Sequence, residues 1–172
     1  MVSGFVYNLI QQFEGNQDDS LNLGLIYGYE SPETHIQLCD GQQRITTLFL
    51  LLGMLNRKVG NNEFRQFLIS DFELQDDKEP YLLYSIRESS LYFLSDLVCR
   101  FFMDTVSISN VSDISSSSWF FNEYNYDPSI NSMLKALLRI DDILKDKSPN
   151  WCRSFGEFLT GKLTFLYYDM GN

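Results

Sequence analysis

Five consecutive residues, Asp40-Gly41-Gln42-Gln43-Arg44, carry the most suggestive binding chemistry in the chain. They lie where an extended run, Ile36-Gln37-Leu38-Cys39, gives way to a helical one. Glycine at position 41 lets the backbone bend sharply and keeps a Cβ out of a ligand's path. The first N–H groups of the following helix have no intrahelical acceptor, and the helix dipole adds partial positive charge, so the junction favours an anion. Gln42 and Gln43 bring amide donors. Arg44 brings a planar guanidinium suited to bidentate contact with phosphate. Thr46 adds a hydroxyl in the first turns, while Thr47 either does the same or packs. A plainer account makes Asp40 an N-cap and pairs Arg44 with a nearby acid. Against it stands the apolar helix that follows, beside which such polar groups are costly to bury without a partner or ligand.

The elements that must hold this junction follow from periodicity. Phe5, Leu9, Ile10 and Phe13 have helical spacing, so a short amphipathic helix is predicted, broken at Gly15-Asn16-Gln17-Asp18-Asp19-Ser20. Leu21 to Tyr29 alternates as a strand, and with the run from Ile36 to Cys39 it forms a β-hairpin around Glu30-Ser31-Pro32-Glu33. From about Gln43 to Asn56 the residues are apolar nearly all round, which predicts the central buried helix. Glu63 to Ile69 reads as another helical piece, Pro80 to Ile86 as a strand and Ser89 to Met103 as a helix. The serine-rich stretch from Thr105 to Ser118 reads as a mobile loop. Asp127-Pro128-Ser129 starts a helix reaching about Lys145, with Pro128 near its first position. Trp151 to Leu159 is a short helix, and Lys162 to Asp169 a strand.

Composition narrows the functional classes. The 172 residues fit one domain, with a hydrophobic fraction of 44% and an aromatic fraction of 15% that describe a folded protein. Thirteen Lys and Arg against 23 Asp and Glu give a net charge of −10, which offers no long basic surface to a phosphodiester backbone. Cys39, Cys99 and Cys152 are widely spaced and His35 is the single histidine. That inventory argues against a Cys/His zinc site, a Ser-His-Asp hydrolase or a His-dependent nuclease, and suits three reduced thiols. The longest apolar run, Leu48 to Leu52, is far short of the roughly 18 residues of a membrane-spanning helix. With no signal-like N-terminus, a cytoplasmic location is expected.

The run Leu38-Cys-Asp-Gly-Gln-Gln-Arg-Ile-Thr-Thr-Leu-Phe-Leu-Leu-Leu52 resembles the signature of the GmrSD-type restriction-endonuclease N-terminal domain, a family of the ParB/sulfiredoxin-like fold. The strand Leu23-Gly24-Leu25-Ile26-Tyr27-Gly28 and the helix before it stand in the order that family uses. The resemblance implies an α+β fold: a small mixed sheet, a buried motif helix, and a variable, mainly helical region over about residues 58–151. It implies a nucleoside triphosphate with Mg²⁺ as cofactor, hydrolysed in support of restriction of foreign DNA, with DNA engaged through the full-length protein. Gly41 to Arg44 fall on the Gly-x-x-Arg of the superfamily, whose turn touches nucleotide phosphates. Asp40 and Arg44 are thereby the candidate catalytic residues, and Gly41, Gln42, Gln43, Arg44 and Thr46 the candidate nucleotide-binding ones. Sulfiredoxins place a catalytic Cys directly after that Gly; Gln42 stands there instead, and Cys39 precedes the turn.

Two family segments have no counterpart: a Pro-x-x-Gln-Arg-x-Tyr-x-Trp-like strand before Phe5, and a Phe-x-x-x-Asn-x-x-Gly-x-x-Leu segment after the last strand. The expectation is therefore a single truncated domain, 1–172, inactive alone; members of that family often carry a separate C-terminal domain of HNH-nuclease type. The alternative is a non-catalytic regulatory module whose turn binds DNA phosphate or a partner's carboxylate. Elsewhere, Asp169 reads as a solvated strand end in preference to a second acidic site residue, Asp141-Asp142 as a solvated helix face, and His35 as a surface residue. Trp119-Phe120-Phe121 and Tyr124-Asn125-Tyr126 are expected to pack back on the core sooner than to stack on a base.

Overall fold

The computed structural model describes residues 2–74, 77–82 and 88–171, without the side chains of 71–74, 77–80 and 88. Six α-helices and five strands appear among them: α1 (Val2–Gly15), β1 (Leu21–Glu30), β2 (Ile36–Asp40), α2 (Gln42–Val59), α3 (Arg65–Leu68), β3 (Ile69–Leu74), β4 (Asp77–Pro80), α4 (Glu88–Leu97), α5 (Pro128–Leu144), α6 (Pro149–Lys162) and β5 (Leu163–Asp169). The fold is mixed α+β, as expected.

The predicted hairpin forms, with β1 and β2 antiparallel. On the other side of β1 lies β5, parallel to it, so the sheet order is β2-β1-β5. Pairing between β1 and β5 slips between Asn22 and Leu25, where Gly24 takes φ 96°. An isolated glycine in an alternating strand is the usual mark of such a bulge. Leu21, Leu23 and Leu163, at the start of the paired strands, rest on the helical core.

Helix α2 runs through that core against α5 and α6. Its apolar residues Phe49, Leu50, Leu51, Met54 and Leu55 are buried, as the periodicity predicts. Gly53 and Gly156 let rings approach these helices closely, because a Cβ at either position would overlap Phe102 or Phe64 respectively. The helix stops at Gly60 (φ 80°), whose N–H returns to the Asn56 carbonyl.

Two readings are corrected, and a third lies mostly outside the described residues. The stretch from Thr105 to Ser118 is no open loop: Ile108, Val111 and Ile114 are buried, and residues Val111–Ser116 form a 3₁₀ turn. Their threefold spacing puts three apolar side chains on the inner side of a serine-rich segment, and composition alone hid them. The helix predicted from Ser89 to Met103 ends as a π-helical turn, Val98–Phe102. Of the strand predicted over Pro80 to Ile86, residues 83–87 lie outside the described residues, while β4 ends at Pro80 and pairs with β3. The aromatic segment packs back in part: Tyr124 is buried edge-on against Phe93, and Trp119 and Phe120 pack on the same ring, whereas Phe121 and Tyr126 stay exposed.

One buried carboxylate fastens α4 to α5. Asp127 caps α5, accepting from Ser129 N at 2.8 Å and Ile130 N at 3.3 Å, and it also accepts from the Ser89 and Ser90 hydroxyls, each at 2.6 Å. Burial by itself would raise its pKa, but these four donors outweigh burial and hold it below the ordinary 3.8. A carboxylate whose folded pKa is depressed stabilises the fold above its unfolded pKa, and loses that contribution as pH falls through the folded value. Unfolding by urea is therefore expected to become easier as pH falls below about 5. Asp127→Ala is expected to cost about 1–2 kcal/mol at neutral pH and to flatten that acid dependence.

Candidate functional site

The junction of β2 and α2 is built around Gly41, which occupies the N-cap position with φ 92° and ψ 4°. That left-handed conformation costs an L-residue roughly 1–2 kcal/mol. Space forbids one as well, since a Cβ there would sit 2.5 Å from Ile26 Cγ2. The first helical hydrogen bond runs from Ile45 N to the Gly41 carbonyl at 3.1 Å. The N–H groups of Gln42, Gln43 and Arg44 precede it, and no side chain caps the helix. Asp40 is thus not the N-cap that the plainer account expected: glycine occupies that position, and the Asp40 side chain is exposed beside it.

Arg44 reaches back to β1. Its Nη1 donates to the Leu23 carbonyl at 2.6 Å and its Nη2 to the Leu25 carbonyl at 2.8 Å. Both acceptors flank the Gly24 bulge, whose irregular pairing leaves carbonyls in need of donors. The guanidinium also lies 5.9 Å from the centroid of the Phe165 ring on β5. It passes close to both left-handed glycines, for a Cβ on Gly24 would stand 3.1 Å from Nη1 and one on Gly41 3.4 Å from Nη2. Among the described residues Arg44 forms no ion pair with an acid, so that half of the plainer account does not hold either. Two of its five N–H donors serve the strand, and the cation itself stays beside the bend.

The other motif residues divide. Gln42 folds toward the hairpin, donating from Nε2 to the Leu38 carbonyl at 3.0 Å. The Gln43 side chain is exposed and makes no hydrogen bond among the described residues. Thr46 and Thr47 are both buried, one turn inside the helix. Asp40, Gly41, Gln43 and Arg44 therefore surround the uncapped helix end, while Gln42 braces the strand behind it and Thr46 sits inward. Gly24 and Phe165, which complete the support for Arg44, were not singled out from the sequence. The lone glycine within an alternating strand was the available signal for the first; nothing in the sequence marks the second.

Of the remaining acids, Glu30, Glu33 and Asp169 line a separate cleft of about 460 Å³ with Tyr29 and Gly171, at the far end of the sheet. Asp169 is exposed at the strand end and Asp142 pairs with Lys145 at 3.3 Å on the helix surface. No cluster of three or more His, Cys, Asp or Glu with metal-holding geometry occurs among the described residues. No helix among them is long and apolar enough to cross a membrane. Compared with protein-family models, curated proteins and solved structures, the chain matches none.

Proposed function

We propose that this chain is the nucleotide-binding module of a prokaryotic DNA-restriction or phage-defence protein, of ParB/sulfiredoxin-like fold. The reading rests on one observation: a left-handed Gly41 opens an 18-residue helix whose first-turn amides carry no cap, with a guanidinium held against the bend. Such a helix start is a favourable seat for phosphate. The likeness of Leu38–Leu52 to the GmrSD-type signature supplies the identity of the anion as a nucleoside triphosphate. In this arrangement the amides of Gln42, Gln43 and Arg44 and the Gln43 carboxamide bind phosphate oxygens. Arg44, oriented by the Leu23 and Leu25 carbonyls, supplies positive charge where negative charge builds during phosphoryl transfer. Asp40 is the one motif carboxylate at the bend. That fits Mg²⁺, which is commonly held by one or two carboxylates together with substrate phosphates. When bound, the ion would neutralise phosphate charge.

A second reading draws on a different fact. Arg44 and Gln42 both end on backbone carbonyls, so the motif also serves as a strut, and a non-catalytic module binding DNA or a protein partner would keep it for that reason. Release of phosphate from GTP, ATP or CTP by the protein, with and without DNA, separates the two. Turnover of any one supports the first. Nucleotide binding without turnover would leave a sensing module, and the hydrolytic assignment would be wrong.

A further inference from the structure

The sheet has two edge strands, β2 and β5, and much of one face beside β5 is uncovered. Among the described residues β5 pairs only with β1, so on its outer side alternate residues of the seven carry N–H and C=O groups with no strand partner. Proteins usually blunt such an edge with prolines, inward charges or bulges, because it templates the addition of another strand. The sequence Leu163-Thr-Phe-Leu-Tyr-Tyr-Asp169 has no proline or lysine within it. Paired residues of adjacent strands share a face, which puts Leu25 with Leu166 and Tyr27 with Tyr168. Leu166 and Tyr168 are 56% and 60% exposed, and the rings of Tyr27 and Tyr168 meet at 5.8 Å. Phe165, which faces Arg44, belongs to the opposite side.

At the end of this edge stands the cleft of Glu30, Glu33 and Asp169. None of these carboxylates forms an ion pair among the described residues. Their charge decides what could cover the face. A second copy would bring the same three acids and a net charge of −10, so it would be repelled. A nucleic acid would be repelled likewise. A positively charged polypeptide is attracted, and an extended one satisfies the free edge.

We propose that the β5 edge, the Leu166–Tyr168 face and the acidic cleft together dock an extended, basic segment of a partner protein as a fourth strand. Apolar side chains on alternate residues of that segment lie on Leu166 and Tyr168, and a Lys or Arg enters the cleft against Tyr29 and the three carboxylates. The inference does not draw on the nucleotide reading: Arg44 lies on the other face, beside Phe165, although Asp40, paired with Tyr27, shares this one.

The test uses fluorescence anisotropy with the folded chain and a short labelled peptide alternating Lys and Val. Its comparison is a peptide of the same composition methylated on alternate backbone nitrogens, which keeps the charge and removes the strand hydrogen bonds. The unmethylated peptide is expected to bind at least about tenfold more tightly. It should also slow amide hydrogen exchange at Phe165 and Tyr167, whose N–H groups alternate with those bonded to β1 and face the free edge. The variant Glu33→Lys alters an exposed side chain of the hairpin loop, and should weaken binding about tenfold or more with an unchanged melting temperature. Leu166→Asp should do the same through the face. Equal binding of the two peptides would reduce the effect to bulk charge attraction and overturn the proposal. So would absence of binding, or sedimentation showing that a second copy of the chain occupies this face.

Discussion

Replacing Arg57 with Leu is expected to lower the stability of the chain by about 3 kcal/mol or more. The guanidinium, at the end of α2, gathers backbone carbonyls from a segment some fifty residues away in sequence: Nη1 donates to Phe101 at 2.6 Å and Asp104 at 2.8 Å, and Nη2 to Ile108 at 2.8 Å. It also stacks on the Phe101 ring at 3.9 Å. Burial lowers its pKa, and Asp104 and Asp141 partly offset that loss, so the group remains a cation. Leucine keeps much of the volume, yet it strands these acceptors where the π-helical turn meets the serine-rich stretch. Loss of a partner by such groups costs more than the bonds themselves contribute. Lysine keeps the charge without the fork and should recover only part. Equilibrium denaturation in urea measures the difference; a loss below about 1 kcal/mol would mean that water replaces the guanidinium.

Arg57 also shows where reading the sequence falls short. The apolar repeat from Ile45 to Leu55 marks α2 as the core helix, and Asp127-Pro128 marks the start of α5, because both signals are local. Arg57 and Arg44 derive their roles from carbonyls distant in sequence, and side-chain spacing carries no record of such acceptors. The motif was thus legible as a strand–glycine–helix turn with an uncapped end, while the support of Arg44 by the Gly24 bulge was not. The inward turn of Thr46 and the bracing role of Gln42 likewise emerge only when the hairpin is packed against the helix. In the serine-rich stretch, the polar majority concealed Ile108, Val111 and Ile114, whose burial decides its conformation.

The second large effect is expected at Arg44. Arg44→Ala removes both donors to the bulge, which should cost about 1–2 kcal/mol and leave the chain folded, since the helical core lies elsewhere. Nucleotide affinity should fall much further, by about a hundredfold or more, because a charge-assisted phosphate contact and the alignment of the first-turn amides go together. Arg44→Lys should restore some affinity through its charge and little of the alignment. Calorimetric titration with nucleotide and Mg²⁺, set beside the melting temperatures, separates the two losses. If affinity fell only in proportion to stability, Arg44 would be a strut alone.

Whether the start of α2 seats a phosphate can be tested without disturbing its support, because the Gln43 side chain is exposed and makes no hydrogen bond among the described residues. Gln43→Glu adds a negative charge at the positive end of the helix dipole, which should leave stability equal or raise it by about 0.3–1 kcal/mol. The same charge should repel phosphate and weaken nucleotide binding by about tenfold or more. A more stable protein that binds nucleotide less well is the expected result. Equal affinity of the variant and the parent, or no nucleotide binding by either, would contradict a phosphate site at this helix end.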